Sequence, residues 1–114
     1  MNNLQGADYA LATYGTLAPG KPNHHILDGM TGTWVTGWIR GILKNAGWGA
    51  EGGFPGIVLD PNGNEVEVQL FLSKDLPAHW ARLDEFEGAE YRRIAVHIRT
   101  EEGDVEANIY ALAD

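Results

Sequence analysis

Cysteine is absent from this chain of 114 residues, and basic residues are few. Without cysteine the chain can form no disulfide framework, no thiolate zinc site and no thiol nucleophile. The 8 Lys+Arg are outnumbered by 16 Asp+Glu, which gives a formal net charge of −8 at pH 7. Because such a chain repels phosphate groups, we expect neither nucleic acid nor an anionic membrane surface as a partner, and small molecules are favoured instead.

Long apolar runs are also missing. No run approaches the roughly 18 residues of a membrane span, and the start MNNLQGAD lacks the basic and apolar regions of a signal peptide. The composition therefore predicts a cytoplasmic protein. With 44% hydrophobic residues, the chain has enough apolar material for one globular domain, residues 1–114. No heptad pattern indicates an oligomeric state.

Short runs of apolar and β-branched residues, separated by turn residues, favour strands over most of the chain. The candidate strands are 8–14, 32–45, 54–60, 65–73, 91–100 and 105–113. The second run contains Gly37 and Gly41, so it is either one long strand or two shorter ones. Glycines inside a strand are typical of bulges or barrel corners. Asn62-Gly63 predicts a hairpin between the third and fourth strands, and residues 101–104 predict one between the last two.

One segment, residues 75–88, is predicted to be the main helix. Asp75 is expected at the N-cap, Pro77 is tolerated in the first turn, and Gly88 is typical of the position beyond the C-terminus. At about 100° per residue, one apolar stripe holds three side chains, with a fourth at its edge. These are Leu76, Trp80 and Leu83, and Phe86. A short second helix is expected near residues 24–30.

Glu87 falls on that apolar stripe, one helical turn after Leu83. A buried carboxylate is neutralised, paired or kept for function. Burial and the negative end of the helix dipole would both raise its pKa, which suits general acid/base chemistry near neutral pH. The alternative is an exposed Glu87 at the helix end, or one paired with Arg92 or Arg93, and the pattern alone leaves both open.

The loop YGTLAPGKPNHH, residues 14–25, is rich in glycine and proline. Gly15 and Gly20 allow close approach of the backbone to a ligand, and consecutive backbone N–H groups can bind a carboxylate or an oxyanion. A long structural crossover stiffened by prolines is the alternative. A phosphate loop is excluded because Pro22 follows Lys21 in place of the Ser or Thr of that motif.

Histidines give a weak indication of a metal site. His24 and His25 lie near Asp28, but adjacent histidines point to different sides of most backbones, and His79 and His97 fall on other elements. We therefore predict no metal site and no cofactor.

Four segments together resemble one known family. They are YGTL at 14–17, GKPNH at 20–24, FPGIVLD at 54–60 and LDEFEGAEYRR at 83–93. The chain resembles the γ-glutamylcyclotransferase-like (AIG2-like) family, above all its small bacterial members and the γ-glutamylamine cyclotransferases. The likeness runs roughly from residue 14 to residue 110. It implies an α+β fold, a compact mixed β-barrel with one main helix and a short second helix.

The resemblance also implies roles for particular residues. Glu87 matches the catalytic acid/base of the family. In the family, one loop binds the glutamyl α-carboxylate through its backbone N–H groups, and this loop matches Tyr14, Gly15, Thr16 and Leu17. The residues of the family's pocket wall match Tyr91 and Arg93. Thr16 replaces a common serine and keeps the hydroxyl, whereas Ala18 stands where many relatives carry Lys or Arg.

The implied reaction is cyclisation of a γ-glutamyl group to 5-oxoproline with release of an amine or amino acid. The substrate's own α-amine is the nucleophile, so the protein needs neither a metal nor a cofactor. The glycine-rich segment 45–56 is expected to shape the leaving-group side. A non-catalytic domain of the same fold, which binds a small ligand or a partner, is the alternative function.

Overall fold

The computed structural model describes residues 6–14, 20, 24–46 and 54–112. In this part of the chain the regular elements are β1 (Ala10–Thr13), β2 (Thr33–Ala46), β3 (Phe54–Leu59), β4 (Asn64–Leu72), α1 (Trp80–Glu87), β5 (Tyr91–Thr100) and β6 (Gly103–Leu112). Three short 3-10 turns cover Ala7–Tyr9, His24–Leu27 and Leu76–Ala78. The second of them is the predicted short helix. Among the described helices, none has the length and apolar character needed to cross a membrane.

Five of the strands close into a mixed barrel. Strand β1 pairs antiparallel with β4, β4 with β2, β2 with β5 and β5 with β6. The ring closes where β6 runs parallel to β1, with Leu11 opposite Asn108 and Ala12 opposite Ile109. The barrel and its one main helix confirm the predicted fold class.

Strand β2 is a single strand of 14 residues and serves two partners. Its part Thr33–Gly41 pairs with β4, and its part Gly41–Ala46 pairs with β3. The predicted hairpin between β3 and β4 is therefore wrong. The chain does turn there, with the Gly63 N–H donating to the Asp60 carbonyl at 2.8 Å, but both flanking strands take β2 as their partner. The predicted β5–β6 hairpin is confirmed, with Thr100 opposite Gly103.

The two glycines of β2 lie where strands approach closely, and the register runs without a skipped residue at Gly37. A Cβ atom at Gly37 would lie 2.5 Å from Cγ2 of Ile98, and one at Gly41 would lie 2.8 Å from the carbonyl oxygen of Val58. Glycine at Gly37 therefore provides space for the neighbouring strand and does not mark a bulge.

Two apolar clusters stabilise the fold. One fills the barrel and includes the fully buried Ile57, Leu70, Ile98 and Ile109. The other lies between the barrel and the helix, where apolar side chains of both meet. Its buried members are Leu11, Leu27, Phe71, Leu76, Trp80, Leu83 and Tyr110. The predicted apolar stripe of the helix is confirmed, and Phe86 at its edge is 41% exposed.

The start of the helical segment differs from the prediction. Asp75 makes no capping hydrogen bond, and α1 begins only at Trp80. The Asp75 Oδ2 atom instead accepts hydrogen bonds from the backbone N–H and the hydroxyl of Thr31, at 2.9 and 3.1 Å. These bonds lower the pKa of Asp75. The predicted cap is wrong because a partner far away in sequence binds the carboxylate.

Candidate active site

Helix α1 ends at Glu87, and the chain then turns back into β5. Gly88 has a φ of 86°, and its N–H donates to the Asp84 carbonyl at 3.1 Å, as expected for the predicted end of the helix. The Tyr91 N–H then donates to the Gly88 carbonyl at 3.2 Å. This turn places Glu87 at the junction between the helix and the barrel.

The Glu87 side chain is partly buried in the folded protein. Burial raises its pKa from 4.5 to about 7, because a desolvated carboxylate is costly and the neutral acid is favoured. Near neutral pH both protonation states are therefore populated. This is the condition under which one group can accept a proton and later return it.

Three tyrosine side chains lie near the Glu87 carboxylate. Tyr14 directly follows β1, Tyr91 opens β5, and Tyr110 lies in β6. Burial is the main cause that raises the pKa of each tyrosine, and the negative charge of Glu87 raises all three further. The structure thus brings together three predicted site residues, Glu87, Tyr14 and Tyr91, and adds Tyr110.

The Tyr14 hydroxyl bridges two strands. It donates a hydrogen bond to the Tyr110 carbonyl on β6 and accepts one from the Ile57 N–H on β3, at 3.1 Å. Beyond Tyr14, the predicted substrate-loop residues 15–17 lie outside the described residues, as do 18–19 and most of the glycine-rich segment. The role of the loop stays a prediction. Its first residue, Tyr14, is held by β6 and β3 and lies close enough to Glu87 for that charge to raise its pKa.

Asp84, three residues before Glu87, binds two side chains of the barrel. Its Oδ1 atom accepts hydrogen bonds from the Arg93 Nε and the Tyr110 hydroxyl, both at 2.7 Å. Its Oδ2 atom accepts a third from the Arg93 Nη2 at 3.3 Å. The bonds from Arg93 are the main cause that lowers the pKa of Asp84. The helix is thereby attached to β5 and β6 one turn before Glu87.

Arg93 was expected at the pocket wall. Its guanidinium pairs with Asp84, lies 4.6 Å from the centre of the Trp80 ring, and reaches the Asn108 Oδ1 at 3.5 Å. The sequence alternative in which Arg93 pairs with Glu87 is therefore not observed. Its role as a substrate ligand stays a prediction.

Metal ligands do not cluster in the described part of the chain, where no group of three or more His, Asp or Glu side chains could hold an ion. The His24 ring lies 5.5 Å from that of Trp34, which stacks on Phe71 at 4.8 Å. Trp34 thus packs against the apolar cluster between the barrel and the helix, and His24 packs on Trp34.

Comparison with known proteins agrees with this geometry. The family model for gamma-glutamyl cyclotransferase, AIG2-like proteins matches residues 11–114. The chain belongs to this family. Membership supports the general cyclotransferase kind of activity. No curated protein matches the chain.

Several solved structures share the fold of this AIG2-like chain. YkqA from Bacillus subtilis is 26% identical with a TM-score of 0.70, over 91% of this chain and 35% of that one. The chain thus spans about a third of the length of YkqA. An AIG2-like protein from mouse is 23% identical (TM-score 0.67, 94% and 78% covered). A gamma-glutamyl cyclotransferase is 19% identical (TM-score 0.69, 93% and 67% covered). The last two show similarity of fold alone.

Proposed function

We propose that this protein is a γ-glutamylcyclotransferase that releases 5-oxoproline and a free amine or amino acid from a small γ-glutamyl compound. The observation that carries the proposal is the partly buried Glu87, whose pKa is raised to about 7. It lies near three tyrosines, and one of them, Tyr14, opens the loop that resembles the family's substrate loop.

The reaction needs one proton acceptor that later becomes a proton donor. The Glu87 carboxylate takes a proton from the substrate's α-ammonium group, and the freed amine attacks the γ-carbonyl carbon. The new C–N bond closes a five-membered ring. The ring nitrogen, which carries two protons after the attack, loses one of them to solvent. The C–N bond to the leaving amine then breaks as Glu87 returns its proton to that nitrogen and the carbonyl forms again. Because attack is intramolecular, holding the glutamyl chain bent provides much of the rate enhancement.

Substrate binding is proposed for the residues that match the family motif. Backbone N–H groups of residues 14–17 would hold the α-carboxylate and stabilise the oxyanion. Tyr91 is proposed at the pocket wall, where the family resemblance would also put Arg93. Support for this proposal comes from Tyr14, whose hydroxyl is held by hydrogen bonds to β6 and β3 and whose pKa is raised in part by the charge of Glu87.

The test measures 5-oxoproline release from a panel of γ-glutamyl amines, γ-glutamyl-ε-lysine and γ-glutamyl dipeptides. Glu87→Gln removes the proton-transferring group at nearly constant shape, so release should fall by about 100-fold or more. The matched control is Glu85→Gln, an exposed glutamate on the same helix, which should keep native activity. Undiminished release by Glu87→Gln would refute the proposal. A native protein that binds one of the compounds but releases nothing would support the non-catalytic binding domain.

A further inference from the structure

Tyr110 connects the two sides of the site. Its backbone carbonyl accepts the hydrogen bond from the Tyr14 hydroxyl, at the start of the predicted substrate loop. Its side-chain hydroxyl donates to the Asp84 Oδ1 at 2.7 Å, on the helix that ends in Glu87. One residue of β6 therefore holds both the loop side and the helix side.

Asp84 and Arg93 complete this connection. Asp84 and Glu87 are three residues apart on α1, so their side chains are neighbours on the helix surface. Arg93 holds Asp84 through two hydrogen bonds, at 2.7 and 3.3 Å, a geometry that fixes orientation as well as distance. Arg93 also packs over the ring of Trp80, the first residue of the helix. These contacts restrict both sliding and rotation of α1 on the barrel.

We propose that Tyr110, Asp84 and Arg93 form a positioning unit that holds Glu87 at a fixed place relative to Tyr14. The inference rests on the proposed function, because the unit is assigned to orient Glu87, the proposed proton-transferring group. Each member acts through α1 and not through contact with the substrate. Arg93 is thus a positioning residue in this assignment, in place of the substrate ligand that the family resemblance implies.

The charges of the unit provide a test that a purely structural role would not pass. Asp84 and Arg93 carry opposite charges that offset one another, and Asp84 lies one helical turn before Glu87. The tyrosines near Glu87, which are Tyr14, Tyr91 and Tyr110, are neutral at pH 7 because a phenol ionises near pH 10 and burial raises the pKa further. Removal of one charged partner leaves the other uncompensated. An unpaired cation stabilises the Glu87 carboxylate, whereas an unpaired anion stabilises its protonated form.

The experiment measures kcat and KM as a function of pH for four variants. Tyr110→Phe should lower kcat by about tenfold or more with KM nearly unchanged, because misplacement of the proton-transferring group slows chemistry. Asp84→Asn should move the acidic limb of the kcat profile to lower pH, and Arg93→Gln should move it to higher pH, each by a few tenths of a pH unit or more. Arg93→Lys keeps the charge and should return the limb to its native position.

Arg99→Gln is the matched control. Arg99 also lies on β5, pairs with Glu65 and packs over the ring of Trp38 at 5.1 Å. It is six residues beyond Arg93, about 20 Å along the strand. Its loss should leave kcat and the pH profile unchanged. Circular dichroism and urea unfolding show whether each variant folds. If Arg93→Gln does not fold, Arg93→Lys is used in its place.

The outcomes separate this inference from the proposed function. If Glu87→Gln abolishes release while Tyr110→Phe, Asp84→Asn and Arg93→Gln keep the native kcat, the positioning unit is refuted and the function stands. A raised KM at native kcat in Arg93→Gln would make Arg93 a substrate ligand and would also refute it. If the acidic limb of the kcat profile moves in the same direction in Asp84→Asn and in Arg93→Gln, the positioning unit is likewise refuted. Undiminished activity of Glu87→Gln would refute the function itself.

Discussion

At Glu87, the burial that suits the side chain to proton transfer also costs the folded state free energy. In the unfolded chain the carboxyl group loses its proton near pH 4.5, whereas in the folded protein it keeps the proton up to about pH 7. Between these values the folded state binds more protons, so the free energy of unfolding falls as pH rises. The cost is absent below about pH 4.5 and complete above about pH 7.

We therefore expect Glu87→Gln to be more stable than the native protein at pH 8, by about 1–3 kcal/mol, because each pKa unit corresponds to about 1.4 kcal/mol. The difference should disappear at pH 4, where Glu87 is protonated in both states. Urea unfolding at pH 4, 6 and 8 measures it. The control Glu85→Gln, on the exposed side of the helix, should show no pH-dependent difference. Equal stabilities of Glu87→Gln and native protein at pH 8 would contradict the burial argument.

Single residues differ in how far sequence alone could identify them. Glu87 was predicted because helical periodicity relates it to Leu83, one turn away. The bridge made by Tyr14 joins it to residues 43 and 96 positions away, and no local pattern encodes a contact of that kind. Tyr110 was missed for the same reason. The sequence left open whether Arg93 pairs with Glu87, and the pattern alone could not show that Arg93 pairs with Asp84 instead.

Among the elements, helix α1 holds Glu87 of the candidate site although it has only eight residues. A helix of this length is unstable alone in water, so its stability comes from packing on the barrel. Leu83 is fully buried in that contact, whereas Phe86 on the same helix is 41% exposed. The placement of Glu87 therefore depends on the fit of the apolar stripe.

We expect Leu83→Ala to lower the free energy of unfolding by about 2–4 kcal/mol, through lost burial and the cavity that remains. Phe86→Ala, the control on the same helix, should cost less than about 1 kcal/mol because much of its surface is already in water. Urea unfolding monitored by tryptophan fluorescence measures both. A Leu83→Ala cost no larger than that of Phe86→Ala would show that the helix is held mainly by its polar contacts.

The strands could be predicted within a few residues because alternation and turn residues are local features. The pairing partner of each strand could not be predicted in this way. The Asn62-Gly63 turn forms, yet β3 and β4 both pair with β2, whose 14 residues are long enough for the two. Which edge a strand joins depends on strands far away in sequence. The prediction of Asp75 as a helix cap is wrong for a similar reason, because Thr31, far away in sequence, binds its carboxylate.

For the molecule as a whole, the shifted carboxyl groups act in opposite directions. The pKa values of Asp75 and Asp84 are lowered, from 3.8 in the unfolded reference, so their contribution is present above about pH 4 and is lost as pH falls. Glu87 costs stability as pH rises above 4.5. The net charge of −8 at pH 7 adds repulsion on the same alkaline side.

Thermal stability should therefore be greatest in mildly acidic solution, between about pH 4 and pH 5.5, and should decline toward both pH 3 and pH 8. Melting temperatures measured at fixed ionic strength from pH 3 to pH 9 give the profile. In Glu87→Gln the decline between pH 5 and pH 8 should be smaller, whereas the decline toward pH 3 should remain. A maximum at pH 7 or above in the native protein would contradict this expectation.

The parallel contact between β1 and β6 also determines when the site can exist during synthesis. Strand β6 is the last described strand to leave the ribosome, and it supplies both the closing pairs of the barrel and Tyr110. A nascent chain halted after α1 already contains Glu87 but lacks the surface that holds the helix. The proton transfer proposed for this carboxylate therefore requires that the emerging chain has already delivered β6.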